Sequence, residues 1–269
     1  MLVRDRPELE VLLLRRTSRA AFTPGATVFP GGAVDPADRA AGARVAGITD
    51  AEASREHGVP SGGLAYRVAA VRECFEEAGI LLARERVTGA HATPPPQWRD
   101  ACNAGTATLA GVLEACDLLV DARELRVFSH WLTPIGAPRR YDTWFFVAPA
   151  PDGNDGEHDD VELVASEWVR PRDALARERR GDIELIVPTS RSLETLARFR
   201  YADDVLAALD AVPRDAQGRP YVVADGAGER VVLPGDDVAR AGRWTIPLPD
   251  VGSRTERRML AGGASRCPT

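Results

Sequence analysis

Glu73, Glu76 and Glu77 lie at i, i+3 and i+4, so on a helix their carboxylates share roughly a 100° arc of one face. Adjacent acids repel one another unless a cation stands among them, and an all-oxygen set of this kind suits Mg²⁺ or Mn²⁺. Arg72, four residues before Glu76, supplies part of the compensation. Such a site can bring a diphosphate and an attacking water together around a divalent ion. A bare acidic cluster is also what a solvated helix face looks like, so the reading depends on the elements that position it.

The opposite face of the same stretch carries Leu64, Val68, Val71, Phe75 and Ala78, a helical series that predicts a helix over 64–78 buried against a sheet and stopped by Gly79. Upstream, a β-type run from Val11 to Leu14 and then Val28 and Phe29 meets Pro30, Gly31 and Gly32. The backbone can turn sharply there and approach a ligand without a Cβ in the way.

Phe29-Pro30-Gly31-Gly32 together with Arg72-Glu73-Cys74-Phe75-Glu76-Glu77-Ala78-Gly79-Ile80 resembles the Nudix hydrolase box. That pattern reads Gly, five residues, Glu, seven residues, then Arg-Glu-apolar-x-Glu-Glu-x-Gly-apolar. The second half matches at every specified position. Counted from Gly32, the sixth position is Asp38 in place of Glu, and 33 residues separate Asp38 from Arg72. The box is split by about 26 extra residues, with Ala33 to Gly63 reading as an Ala/Gly/Asp-rich insertion. This arrangement resembles the coenzyme A diphosphatase branch typified by nucleoside diphosphate-linked moiety X motif nineteen. Trp131-Leu132-Thr133-Pro134, Arg140-Tyr141-Asp142-Thr143-Trp144-Phe145-Phe146, Glu162 before Trp168, and Leu233-Pro234-Gly235-Asp236 extend the likeness over most of residues 11–240. A different coenzyme A branch has an arginine where this chain has Ala21.

The resemblance implies an α+β Nudix fold, an α/β/α sandwich with a mixed sheet, a helical insertion and a C-terminal extension. It implies Glu76 and Glu77 as principal ligands of Mg²⁺ or Mn²⁺, Glu73 as a third ligand or the general base, and the Gly32 carbonyl and Glu162 as further ligands. Arg72 joins Glu73 and Glu76 in the catalytic set as the residue that orients a carboxylate. Arg16, Gly31 and Arg140 are the expected substrate contacts, and Arg15 and Arg19 are further cations near a 3'-phosphate. The implied reaction is attack of water on one phosphorus of a nucleoside diphosphate-linked small molecule. Coenzyme A or acyl-coenzyme A leads as substrate, giving 3',5'-ADP and a 4'-phosphopantetheine; ADP-ribose or NADH is the alternative, and a non-catalytic ligand sensor a third reading.

All 34 basic residues are arginine, which excludes a lysine-dependent phosphate loop and a pyridoxal Schiff base. The net charge of −6, with the arginines scattered, argues against a nucleic-acid binder. No apolar run reaches a membrane span, and Arg4, Asp5, Arg6 and Glu8 stand where a signal peptide needs an apolar stretch, so a cytoplasmic protein is expected, free or as a homodimer. The four cysteines show neither CxxC spacing nor a secretory context and are read as thiols. The acidic loop 152–160 lacks the glycine and glutamate of a calcium loop and is read as a solvated hairpin loop.

Coarsely, strands are expected at 9–15, 26–30, 125–132, 141–149 and 162–169, with helices at 64–78, 97–117, 172–179, 190–199 and 202–209. A hairpin is expected over 219–234. The expected organisation is a Nudix domain over 1–215 with an insertion at about 33–63, a hairpin extension over 216–250 packed on it, and a flexible tail over 251–269.

Overall fold

The computed structural model describes residues 1–18, 24–132, 141–153, 155–156 and 163–211, with the backbone of two further strands, Tyr221–Asp225 and Gly228–Val232. In chain order it contains β1 (Leu2–Asp5), β2 (Leu9–Arg16), β3 (Thr27–Val28), a 3-10 helix (Pro36–Arg44), β4 (Val45–Ala46), α1 (Asp50–His57), α2 (Leu64–Ala78) and β5 (Arg84–Glu85). There follow α3 (Gln97–Asn103), α4 (Leu109–Ala115), β6 (Leu118–Asp121), β7 (Arg126–Leu132), β8 (Asp142–Pro149), β9 (Leu163–Val169), α5 (Pro171–Arg180), α6 (Val187–Leu196) and α7 (Ala202–Asp210). The hairpin strands are β10 and β11, antiparallel from Tyr221↔Val232 to Asp225↔Gly228.

β2 organises the main sheet. Leu9 and Val11 to Leu14 are all buried, as expected of a strand covered on both faces. Val11 pairs with Val169 of β9 on one edge and Val3 of β1 on the other, and Leu14 likewise pairs with both β9 and β3. β1 and β3 therefore share one edge of β2, end to end. β1 pairs parallel with β8, and β8 antiparallel with β7, so the sheet is mixed. The alternation of side chains sends Leu12 and Leu14 to one core, with Val68, Val71 and Phe75 of α2, and Val11 and Leu13 to the other, with residues of α5, α6 and α7. The result is the helix–sheet–helix sandwich expected.

Two differences from the sequence expectation have local causes. The strand at 26–30 shortens to Thr27–Val28, because Pro30 lacks a ladder donor and the chain turns away into the glycines. The helix expected over 97–117 breaks into α3 and α4. Gly105 adopts φ +67°, and Thr108 starts α4 by accepting the Gly111 N–H at 3.2 Å. The insertion is helical, as expected: the 3-10 helix packs on α2 and α4, and α1 carries a capping box between Thr49 and Glu52.

α2 starts after Gly63, which offers no capping side chain; Asp50 of α1 supplies one from a distance, accepting the N–H groups of Gly62 at 2.9 Å and Leu64 at 3.0 Å. Those bonds hold the Asp50 carboxyl below its ordinary pKa. α2 ends at Gly79, whose φ of +66° and N–H bond to Phe75 O close the last turn. Beside its first half, Arg67 is buried with Glu56, at 2.6 Å, and donates to His57 Nε2 at 3.0 Å. Because arginine is donor only, that bond leaves the His57 proton on Nδ1. Among the described residues no helix is long and apolar enough to cross a membrane.

Candidate active site

The loop after β3 and the second half of α2 meet face to face. Gly31 N–H donates to Glu77 Oε2 at 2.8 Å, fixing a largely buried carboxylate against the loop. Gly32 lies so close to Glu73 that a Cβ on it would fall 2.4 Å from Oε1, well inside contact distance. Glycine is needed at that position because the Glu73 carboxylate occupies the space a side chain would take.

Arg72 stands between the acids. Its Nη1 donates to Glu73 Oε1 at 2.9 Å and to Glu76 Oε2 at 2.8 Å. On its other side Nε donates to Asp38 Oδ1 at 2.8 Å, and Nη2 donates to Asp38 Oδ2 at 3.2 Å and to the Ala33 carbonyl at 2.8 Å. Burial disfavours the Arg72 charge, yet the Asp38 bond and the fields of Glu73, Asp38 and Glu76 outweigh it and raise its pKa. Burial pushes the Glu73 carboxyl up, against the pull of Arg72 and with the help of Glu76 and Asp38. Asp38 is itself held by the 3-10 helix, as the third residue of a capping box in which Asp35 N–H donates to its Oδ2 at 2.7 Å.

Among the described residues no three or more His, Cys, Asp or Glu side chains are gathered closely enough to hold a metal ion. Glu73 and Glu76 turn toward Arg72, and Glu77 turns toward Gly31. The donors are nevertheless all hard oxygens, and one guanidinium among Asp38, Glu73 and Glu76 leaves a local surplus of negative charge. The shared Nη1 shows that positive charge is already favoured between Glu73 and Glu76. The set fits Mg²⁺ or Mn²⁺ in chemistry and charge.

Of the other expected site residues, Arg16 is half-buried at the end of β2, in register with Leu163, the first residue of β9. Arg140 and Glu162 lie outside the described residues, as does His158. His130 is buried, stacked on Trp144 with ring centroids 3.9 Å apart and bonded through Nε2 to Asp142. Sequence reasoning missed Asp50, Arg99 and His57. Arg99 of α3 donates from Nε to Glu76 O and from Nη2 to Glu77 O, both at 2.9 Å. A helix that ends in acids and has no basic residue in its last turn was the available signal for such a partner.

A model of the NUDT19 Nudix domain matches residues 41–196, more than half of the chain. The chain belongs to the Nudix hydrolases. It is similar to the human acyl-coenzyme A diphosphatase NUDT19, at 31% identity over 85% of this chain and 72% of that protein. It is also similar to the chicken protein of the same name, at 28% identity over 86% and 73%. The crystal structure of a Nudix hydrolase from Alicyclobacillus acidocaldarius aligns with a TM-score of 0.67 and 30% identity, covering 79% of this chain and 95% of that one. This Nudix hydrolase carries Arg72, Glu73, Glu76, Glu77 and Gly79 of the box, with 33 residues between Asp38 and Arg72.

Proposed function

We propose that the chain is a Mg²⁺-dependent diphosphatase of coenzyme A and acyl-coenzyme A. The observation that carries the reading is the likeness to the human and chicken acyl-coenzyme A diphosphatases over most of the chain, with every acid of the second half of the box present. Glu76 and Glu77 would hold the divalent ion, with the Gly32 carbonyl and Glu162 as further oxygens. The bound ion neutralises the diphosphate and acidifies a water at the reacting phosphorus.

The chain's own residues then have separable tasks. Arg72 orients the Glu73 and Glu76 carboxylates and is itself oriented by Asp38. Glu77 is pinned to the loop through Gly31 N–H. Glu73, whose proton affinity is raised by burial, accepts the proton of the attacking water. The oxygen of that water joins one phosphorus, the bridging P–O bond breaks, and two phosphomonoesters leave. Arg16 and Arg140 are the cations assigned to substrate phosphate, as bidentate donors.

Mass spectrometry of products from coenzyme A, acetyl-coenzyme A, ADP-ribose and NADH, with and without Mg²⁺, tests the reading. The expected result is 3',5'-ADP from the first two, abolished by E76Q and by E77Q. Cleavage of ADP-ribose or NADH alone would overturn the substrate.

A further inference from the structure

We infer that Arg99, on the segment between β5 and β6, is a positioning residue for the carboxylate site: it anchors the last turn of α2 through the backbone carbonyls of the two glutamates whose side chains serve the metal. The inference rests on the reading of Glu76 and Glu77 as metal ligands.

Two carboxylates in the last turn of a helix are electrostatically misplaced, because that end carries the negative pole and four carbonyls without helical partners. α2 has no basic residue of its own in that turn. Arg99 supplies the missing cation from outside the helix. Its Nε reaches Glu76 O and its Nη2 reaches Glu77 O, each at 2.9 Å, and Asn103 Nδ2 adds a longer contact of 3.4 Å to Glu76 O. The guanidinium fork therefore fixes two successive peptide groups relative to each other, which a point charge cannot do. A Cβ on Gly79 would lie 3.2 Å from Arg99 Nη1, so the glycine that ends the helix also leaves room for the fork. The arrangement mirrors the other end of α2, where Asp50 supplies the anion for the N-terminal N–H groups. Residues outside the helix thus cap both ends of the element that carries the site.

Removing a cation near a divalent-ion site would by itself favour metal binding. Weaker binding in an Arg99 variant therefore reports lost anchoring, not lost charge. The test is Mn²⁺ binding to the metal-stripped chain, read as the free-ion electron paramagnetic resonance signal, for wild type, R99M, R99K and E77Q, well below each thermal midpoint. R99M is expected to bind Mn²⁺ about tenfold more weakly, as for other partners behind a ligand shell, with R99K intermediate because an ammonium serves one carbonyl. If R99M does not fold, weaker binding in R99K supports the inference and wild-type binding overturns it. Unchanged or tighter binding in a folded R99M, whatever its thermal midpoint, overturns it while E77Q loses the ion. Wild-type binding in E77Q removes the carboxylate site itself, and the inference with it.

Discussion

Asp38 and Arg72, 34 positions apart in the chain, form a two-pronged ion pair, Nε to Oδ1 at 2.8 Å and Nη2 to Oδ2 at 3.2 Å, in which the aspartate is 2% exposed. The shorter acid in place of the box glutamate still reaches the arginine because the 3-10 helix brings it there. Asp38→Ala is expected to cost about 2 kcal/mol in urea unfolding. That is less than the roughly 3–5 kcal/mol of a broken buried pair, because Glu73 and Glu76 still hold Arg72. Turnover should fall about tenfold as the two glutamates lose their orientation. Stability and turnover at wild-type levels would show that the pair positions nothing.

Gly32→Ala places a Cβ where the Glu73 carboxylate sits, 2.4 Å from Oε1. Gly32 is exposed and Glu73 can swing, so the thermal midpoint should shift little. Turnover should drop by about 10- to 100-fold, as for other displaced groups around a metal. A large fall in midpoint with normal specific activity of the folded fraction would reverse that assignment.

Metal should stabilise the fold as well as support turnover. An ion that binds the native carboxylates and not the unfolded chain adds about 2.7 kcal/mol at one hundred times its dissociation constant. A chelator should abolish product formation and return the thermal midpoint to the metal-free value, while E77Q should show no metal-dependent rise. Calorimetric scans with and without Mg²⁺ check this directly.

His57 gives the stability a pH dependence of known sign. Burial first, then the charges of Arg67 and His130, lower its pKa to about 3, so it is neutral in the folded chain and takes a proton on unfolding below about pH 6.5. Its contribution is complete above that value and declines as pH falls toward 3, with a limiting slope of about 1.4 kcal/mol per pH unit. Unfolding series at pH 7, 6 and 5 should therefore show a shallower loss in H57Q than in wild type. Parallel curves would assign the slope to other groups.

Much of the fold was legible because its signals are local. α2 spans Leu64–Ala78 as its apolar spacing and Gly79 indicate, although Leu64 packs with Ile48 and Ala53 of the insertion and not with the sheet. β2 and α7 likewise follow their apolar patterns to within a residue. β1 escaped notice because four residues with two charges carry little periodicity, although it pairs antiparallel with the adjacent β2 as well as parallel with β8. Of the site, the box acids and glycines could be read from spacing, whereas Asp38–Arg72 and the Arg99 carbonyl bonds join segments whose proximity no local pattern encodes. The acidic loop also does more than face solvent: Asp155 pairs with Arg4 and Arg6, and its carbonyl accepts the Trp168 indole N–H.

The insertion leaves the site at Ala33 and returns at Leu64, with Arg39 lying against Gly62, where a Cβ would meet Nη1 at 2.2 Å. The excursion therefore closes on itself. A signature that looks interrupted on paper is continuous in space, and the interval between Arg39 and Gly62 bears on the site through Asp50, which holds the start of α2. What must stay fixed is where the chain departs, where it comes back, and the two aspartates, Asp38 and Asp50, by which it grips α2.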